Sequence, residues 1–153
     1  MSPSALRPRI LLVEDSPADV RLAQEVLAEA GVDHDLYVAE DGELALQMLR
    51  DPVTHTGGQL PDLVLLDLNL PRLSGREVLA EIKRHARWRR IPVLILSTSA
   101  SEDDVQGCYD AYANAYLIKP VDWTQFVALA AALRDFWFRF ASLPVAPAPS
   151  RAG

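Results

Sequence analysis

Residues 63–71, LVLLDLNLP, place one carboxylate, that of Asp67, directly after an apolar run that predicts a buried strand. An unpaired carboxylate is costly to bury, so Asp67 must meet a cation, become neutral or lie at an exposed strand end. A strand that is apolar on both faces is typical of a parallel sheet covered by helices on its two sides. The role of Asp67 therefore depends on which other side chains reach the same strand end.

Four other runs rich in leucine or β-branched residues alternate with amphipathic segments. The sequence predicts these strands at residues 9–15 (RILLVED), 34–39 (HDLYVA), 91–97 (IPVLILS) and 114–119 (NAYLIK). Strands that alternate with helices, joined by right-handed crossovers, favour a doubly wound arrangement. We therefore predict an α/β fold with a five-stranded parallel sheet of flavodoxin-like order 2-1-3-4-5 and helices on both faces.

The predicted helices begin at polar capping residues. In the first helix, Ser16 is followed by Pro17 and the acid Asp19, and Gly31 marks its end. The later helices open with a similar cap and an acidic or amide residue three positions on, at Ser74 with Glu77, Ser101 with Asp104, and Asp122 with Gln125. We expect the last helix to run to residue 141.

Length and composition indicate one globular domain. The chain has 153 residues, of which 50% are hydrophobic and 24% charged. We expect the domain at residues 8–141, after a disordered arm at 1–7 and before a disordered Pro/Ala-rich tail at 142–153.

Charge, cysteine content and hydropathy limit the environment of the protein. A net charge of −6 argues against broad nucleic-acid binding. The single cysteine, Cys108, excludes an internal disulfide and suits a reducing compartment. No apolar run approaches the roughly 20 residues of a membrane span, and the N-terminus lacks the apolar block of a secretion signal. We expect a cytoplasmic protein that binds neither nucleic acid nor membranes.

Polar side chains follow the predicted strands at their carboxyl ends, which is the edge where doubly wound sheets bind ligands. The second strand contributes Glu40 and Asp41, but its position is peripheral in this topology, and the other four strands supply the central group. The members of this group are Glu14 and Asp15 after the first strand, Asp67 after the third, Ser97 and Thr98 after the fourth, and Lys119 after the fifth.

Three carboxylates at one edge repel one another unless a cation joins them. A hard divalent ion with oxygen ligands resolves this conflict, and Mg²⁺ is favoured because the cluster contains no His or Cys. Asp67, the most central acid, is then a candidate nucleophile that forms an acyl phosphate. The metal, a hydroxyl and the ammonium of Lys119 would stabilise the charge of the transferred group.

Each of these residues also has a simpler interpretation when it is taken alone. An acid at a strand end is often a helix cap, a lysine before proline is usually solvated, and strand-end Ser and Thr mostly form caps or turns. Their convergence on one edge favours the phosphoryl-transfer interpretation.

The same residues resemble the response regulator receiver family of two-component signalling. The similarity lies in VED at the first strand end, DLNLP around Asp67, Ser97-Thr98 and YLIKP, and it extends over about residues 8–140. The separations of 30 positions from Asp67 to Ser97 and 22 from Ser97 to Lys119 suit the family.

The resemblance implies the chemistry of the site. Asp67 is the implied phospho-acceptor, and Lys119 is the implied phosphate-binding lysine, in a peptide bond to Pro120 that is typically cis in the family. The implied Mg²⁺ site comprises Glu14, Asp15, Asp67 and the backbone carbonyl of Asn69.

The resemblance also implies a switch. The hydroxyl of Ser97 meets the phosphoryl group, and Tyr116 is the aromatic residue that turns inward when Ser97 moves. Thr98, the residue after Ser97, belongs to the same switch. Phosphorylation would then change a surface made by the fourth helix, the fifth strand and the fifth helix.

Three longer segments resemble, more narrowly, the small regulators paired with phytochrome-type histidine kinases. They are LDLNLPRLSGREVL, LSTSASEDDV and RDFWFRF. This resemblance implies a sensor histidine kinase as phosphoryl donor, control of that kinase by light, and a homodimer.

Surplus aromatic residues point to a self-association surface. Phe126, Leu129, Ala130, Leu133, Trp137 and Phe140 form one helical stripe, which leaves Trp123 and Phe138 outside it and Phe136 near its edge. Tyr112 occupies a position that is usually glycine in the family, so its ring must recover a cost of about 1 kcal/mol or the turn is rebuilt. Tyr112, Phe136, Trp137 and Phe138 are the candidates for a dimer contact; the alternative is a cluster folded onto the protein's own loops.

Residues 83–90, KRHARWRR, form a basic cluster that we interpret as the solvated end of the third helix, with docking of a kinase or another anionic partner as the alternative. The three histidines show no metal-ligand spacing, and Cys108 is interpreted as a small core residue.

We therefore expect a single-domain response regulator, not a dedicated enzyme, with intrinsic self-phosphorylation and autodephosphorylation. An aspartyl-nucleophile phosphatase would need a second acid two residues after Asp67, where Asn69 stands. A flavin-binding module conflicts with the negative charge of Glu14 and Asp15. An adaptor that works without phosphate would not need the complete set of acids and lysine.

Overall fold

The computed structural model of the protein describes residues 7–144 and confirms the predicted α/β fold. A five-stranded parallel sheet has the order β2-β1-β3-β4-β5. The strands are β1 (Arg9–Val13), β2 (Asp35–Ala39), β3 (Leu63–Leu66), β4 (Val93–Ser97) and β5 (Ala115–Ile118). The predicted arm and tail lie outside the described residues, apart from Arg7 and residues 142–144.

Five longer helices connect and follow these strands. They are α1 (Pro17–Glu29), α2 (Gly42–Arg50), α3 (Gly75–Arg84), α4 (Glu102–Asp110) and α5 (Trp123–Leu133). A one-turn helix, Pro52–His55, interrupts the connection between α2 and β3. Across residues 7–144, no helix is both long and apolar enough to cross a membrane.

All four predicted helix starts have their capping hydrogen bonds. Ser74 and Glu77 form a reciprocal capping box at the start of α3. At the other three starts the side chain of the cap accepts a hydrogen bond from the backbone N–H three residues later. The N–H of Asp19 donates to Ser16, that of Asp104 to Ser101, and that of Gln125 to Asp122. These caps depend on neighbours in sequence, which is why the sequence located them correctly.

Alternate residues of each central strand enter two separate cores, because successive side chains of a strand point to opposite faces. Leu11 and Val13 pack with α2, α3 and Cys108 of α4, whereas Ile10 and Leu12 pack with Ala23 of α1. All residues of β3 and β4 are buried. The sheet is therefore covered on both faces, and its carboxyl edge is left to the loops that carry the polar residues.

The last helix differs from its prediction because it changes type. After Leu133 the chain continues as a π-helix, Arg134–Phe140, and the N–H of Ala141 donates to the carbonyl of Phe136, five residues earlier. The larger number of residues per turn rotates the side chains away from the α-helical stripe. Phe140, predicted to be covered, is 76% exposed, whereas Phe138, predicted to lie outside the stripe, packs against the core beside α1.

The basic cluster at residues 83–90 is less solvated than predicted. Trp88 is 4% exposed and its ring stacks on that of His85, with centroids 3.6 Å apart. The ammonium of Lys83 donates to the carbonyls of Arg89 and Ile91, and burial lowers its pKa to about 8. This segment therefore closes the end of one core, and only its remaining arginines form a charged surface.

The expectation of a cis bond between Lys119 and Pro120 is wrong for this structure, in which no described peptide bond is cis. The trans isomer is intrinsically favoured by about 0.5–1 kcal/mol in X–Pro bonds.

Tyr112 keeps the left-handed conformation that is usual for glycine. Its φ is 71°, and its side chain is 76% exposed, so the ring does not recover the backbone cost by packing within the described chain. A non-glycine residue in this region costs about 1 kcal/mol or more.

We expect Tyr112→Gly to raise the free energy of unfolding by up to about 1 kcal/mol, because it relieves this strain and loses little packing. Urea denaturation followed by circular dichroism measures the change. Ala111→Gly is the control: its φ is −90°, so the substitution relieves no strain. It adds freedom to the unfolded chain and removes a methyl group that packs against the core, so it should destabilise the protein. Equal destabilisation by both substitutions would contradict the interpretation.

Candidate functional site

The pairing of β1 with β3 brings the three predicted carboxylates together. Val13 and Leu66 are partners in the sheet, so Glu14 and Asp67 leave their strands side by side. The backbone N–H of Asp67 donates to the carbonyl of Val13 over 3.1 Å. One carboxylate oxygen from each of Glu14, Asp15 and Asp67 lies within 4.8 Å of the others.

The acids of this cluster differ in exposure and charge. Glu14 is 5% exposed and Asp67 is 9% exposed, whereas Asp15 lies at the surface. Burial, and then the charge of Asp67, raise the pKa of Glu14 to about 7, although the N–H of Ser16 and the ammonium of Lys119 act in the opposite direction. The cluster therefore holds more negative charge than its surroundings neutralise.

The geometry of the cluster suits a hard divalent cation. Mg²⁺ binds oxygen at about 2.0–2.1 Å in an octahedron, which places its ligand oxygens about 3–4 Å apart. The three carboxylate oxygens, within 4.8 Å of one another, need only a small contraction to reach these separations. The excess negative charge favours such a contraction around a cation.

Lys119 reaches the same cluster from β5. Its backbone N–H donates to the carbonyl of Ser97 over 2.7 Å. Its ammonium lies 3.4 Å from Oε1 of Glu14 and 3.6 Å from Oδ2 of Asp19. No ion pair within 4 Å joins it to Asp67.

The sequence did not identify Asp19 as a site residue. Asp19 was assigned only to the start of α1, and its backbone N–H does donate to the Ser16 cap. Its position three residues into a helix that follows the acidic pair is the one sequence signal that could have placed it beside the site.

The loop after β3 holds Asp67 in a fixed orientation. Its Oδ1 accepts the N–H of Asn69 over 3.1 Å, and the N–H of Gly75 donates to the carbonyl of Leu68 over 3.0 Å. A Cβ at Gly75 would collide with the backbone carbonyl oxygen of Asp67. Glycine is therefore required where α3 begins, because the helix backbone touches the loop that carries the candidate acceptor.

The hydroxyls after β4 link the site to α4. Ser97 is fully buried, and its Oγ accepts the N–H of Ser99 over 3.1 Å. The Oγ of Ser99 donates to Asp104 of α4 over 2.6 Å, and the hydroxyl of Tyr116 donates to the carbonyl of Ser99 over 2.8 Å. Thr98 lies exposed. Ser97 and Tyr116 are therefore connected through Ser99, whereas Asp104, which the sequence assigned only to the start of a helix, is connected to the same serine.

Comparisons with known proteins agree with this geometry. The family model of the response regulator receiver domain matches residues 10–131. Response regulator Rcp1 of Synechocystis sp. is 44% identical over 137 residues, which are 90% of this chain and 93% of that protein.

Two solved structures are similar at comparable identity. The crystal structure of the phosphorylated cyanobacterial phytochrome response regulator RcpA has a TM-score of 0.82 and 44% identity, over 90% of this chain and 99% of that one. The Mn²⁺-bound form of Rcp1 has a TM-score of 0.80 and 43% identity, over the same 90% and 99%.

The raised pKa of Glu14 predicts how stability depends on pH without a divalent cation. A carboxyl whose pKa is about 7 in the folded state and 4.5 in the unfolded state stabilises the fold below pH 4.5, and that contribution is lost as the pH rises to 7. We expect the loss to be on the order of 2–3 kcal/mol. Chemical denaturation in a chelator, repeated across this pH range, measures it.

Glu14→Gln should remove most of this pH dependence, because glutamine does not titrate. Glu25→Gln, on an exposed position of α1, is the control and should keep the native dependence. A Glu14→Gln variant with the native slope would show that the buried acid does not titrate in this range.

Proposed function

The chain belongs to the response regulator receiver family, and on that premise we propose that Asp67 accepts a phosphoryl group from a sensor histidine kinase in a Mg²⁺-dependent reaction. The observation that carries the proposal is the gathering of Glu14, Asp15 and Asp67 around one point, with Lys119 bonded to Glu14. The protein would act as a signalling domain that also catalyses its own phosphorylation and dephosphorylation, and not as a dedicated enzyme.

The proposed transfer forms one bond and breaks one. A carboxylate oxygen of Asp67 attacks the phosphorus of a phosphohistidine, the phosphorus–nitrogen bond breaks, and the released imidazole takes up a proton from water. An acyl phosphate remains on Asp67. In the later hydrolysis, the oxygen of a water molecule attacks the phosphorus, the phosphorus–oxygen bond to Asp67 breaks, and inorganic phosphate and the free carboxylate are released.

The residues around Asp67 have separate roles in this proposal. Glu14, Asp15, Asp67 and the backbone carbonyl of Asn69 would hold Mg²⁺, which when bound neutralises charge on the phosphoryl oxygens. Lys119 supplies the ammonium for another phosphoryl oxygen.

The path to the surface begins at the hydroxyl of Ser97. Its oxygen already accepts the N–H of Ser99, so a movement of Ser97 toward a phosphoryl group changes the position of Ser99. The Oγ of Ser99 in turn donates a hydrogen bond to Asp104, and the carbonyl of Ser99 accepts one from the hydroxyl of Tyr116. Phosphorylation would therefore shift the balance between two arrangements of α4 and β5. Thr98, the next residue in the chain, would move together with Ser97.

The names of similar proteins suggest the class of kinase. RcpA is a cyanobacterial phytochrome response regulator. We propose that the partner of this chain is likewise a phytochrome-type histidine kinase, which would place the site under the control of light. A cytoplasmic location suits such a partner.

We expect the native chain to gain the mass of one phosphoryl group when it is incubated with a small acyl phosphate or phosphoramidate and Mg²⁺, and Asp67→Asn to gain none. Intact-mass spectrometry measures both. Asp33→Asn, an exposed acid that pairs with Arg7, is the matched control and should label like the native chain.

Labelling that persisted in Asp67→Asn would place the chemistry on another residue. Labelling of the native chain that was unaffected by a chelator would contradict the metal requirement. Asp15→Asn should lower the labelling rate strongly at limiting Mg²⁺ and less at saturating Mg²⁺. The reason is that Asp15 would act as a metal ligand, so that its loss weakens the affinity for Mg²⁺.

Self-association through α4, β5 and α5 is the second part of the proposal. Tyr112 and Phe136 are exposed, as are Tyr109 and Ile118, and these apolar groups support a contact with a second copy. Trp137 and Phe138, the other two candidates, pack partly against the protein's own core. In the proposed dimer, Trp137 and Phe138 would pack beneath the exposed residues and would not form the centre of the contact.

We expect the native chain to dimerise at micromolar concentration and the pair Tyr112→Ser with Phe136→Ser to weaken the dimer at least tenfold, since buried aromatic groups dominate interfaces. Sedimentation equilibrium measures the dissociation constant. Val53→Ser, which removes an exposed side chain from the one-turn helix Pro52–His55, is the control and should leave it unchanged. A strictly monomeric native chain, with and without phosphoryl donor, would refute the dimer.

A further inference from the structure

We infer that Asp19 is a positioning residue for Lys119, and that it competes with the phosphoryl group for the lysine's ammonium. The inference rests on the proposed function, because it concerns the lysine that would bind the phosphoryl group. The observation behind it is that Lys119 is paired with Glu14 and Asp19, both in the segment from the end of β1 to the first turn of α1, and not with Asp67.

The two ion pairs are loose. The separations of 3.4 Å and 3.6 Å exceed the length of about 2.7–2.9 Å expected for a strong charge-assisted hydrogen bond. The carboxylate of Asp19 is also 44% exposed, so water screens its attraction for the ammonium. Lys119 itself is largely enclosed, with 14% of its side chain exposed. The ammonium is therefore retained near the site but is weakly held.

A phosphoryl group on Asp67 changes this balance. It carries more negative charge than a carboxylate and offers three acceptor oxygens, so it attracts the ammonium more strongly than Asp19 does. To reach it, Lys119 must give up its contact with Asp19, and the loss of that contact subtracts from the binding of the phosphoryl group. Asp19 thus sets how readily the lysine transfers from the unphosphorylated to the phosphorylated arrangement.

The alternative role of Asp19 is purely structural. It lies in the first turn of α1, where an acid interacts favourably with the helix dipole, and its backbone is bonded to the Ser16 cap. If this were its only role, its removal would lower stability and would leave the binding of a phosphoryl mimic unchanged or weaker. Competition for Lys119 predicts the opposite sign.

The test uses fluoroberyllate, a tetrahedral mimic of the phosphoryl group that binds a carboxylate oxygen, in the presence of saturating Mg²⁺. Titration calorimetry of the full chain measures its dissociation constant. We expect Asp19→Asn to lower this constant roughly two- to fivefold, the range for loss of one exposed ion pair. Asp19→Glu, which keeps a carboxylate within reach of the lysine, should restore a value close to that of the native chain.

Two controls separate the contact from a general effect of charge. Glu25→Gln removes one negative charge from an exposed position of the same helix and should leave the dissociation constant unchanged. In a Lys119→Met background, Asp19→Asn should have no effect, because the ammonium for which it competes is gone. An equal effect in that background, or in Glu25→Gln, would overturn the inference.

The outcomes also separate this inference from the proposed function. If the native chain does not bind fluoroberyllate with Mg²⁺, the proposed acceptor chemistry fails. If the native chain binds and Asp67→Asn does not, but Asp19→Asn leaves the dissociation constant unchanged or raises it, only the role of Asp19 fails.

Discussion

Repulsion among the carboxyl groups of Glu14, Asp15 and Asp67 is the constraint on which the candidate site depends. The parallel pairing of β1 with β3 places these groups together, and the surrounding core prevents Glu14 and Asp67 from moving into solvent. Asp19 adds a fourth carboxyl group, which shares the ammonium of Lys119 with Glu14. A folded protein tolerates such an imbalance at a cost in stability, and a divalent cation or a protonated acid relieves it.

The same imbalance of charge explains why the ammonium of Lys119 lies between two carboxylates, those of Glu14 and Asp19. In the described state the lysine pairs with Glu14 and Asp19, and not with Asp67. A chain in which Lys119 paired tightly with Asp67 would have its candidate acceptor occupied. Loose pairing with two other acids leaves both the candidate nucleophile, Asp67, and the ammonium of Lys119 available.

The connection from the site to the surface is made by a short series of hydrogen bonds. Ser97, Ser99 and Asp104 join the end of β4 to the first turn of α4, and Tyr116 closes on the carbonyl of Ser99. Each bond joins groups a few residues apart or on adjacent strands, so the proposed displacement of Ser97 would reach α4 and β5 in few steps. The exposed, strained Tyr112 lies at the end of the same helix, where the chain turns toward β5.

The sequence by itself determined the strands, the helix starts and the set of residues at the carboxyl edge, because these depend on local periodicity, on caps and on the direction of parallel strands. It thereby predicted that Glu14, Asp15, Asp67 and Lys119 would approach one another. Only the tertiary structure decided that Lys119 pairs with Asp19 and that Trp88 is buried. It also decided that Phe138 packs against the core and that Phe140 is exposed. Those outcomes depend on contacts between distant segments, and on a change from α- to π-helix that no 3.6-residue pattern contains.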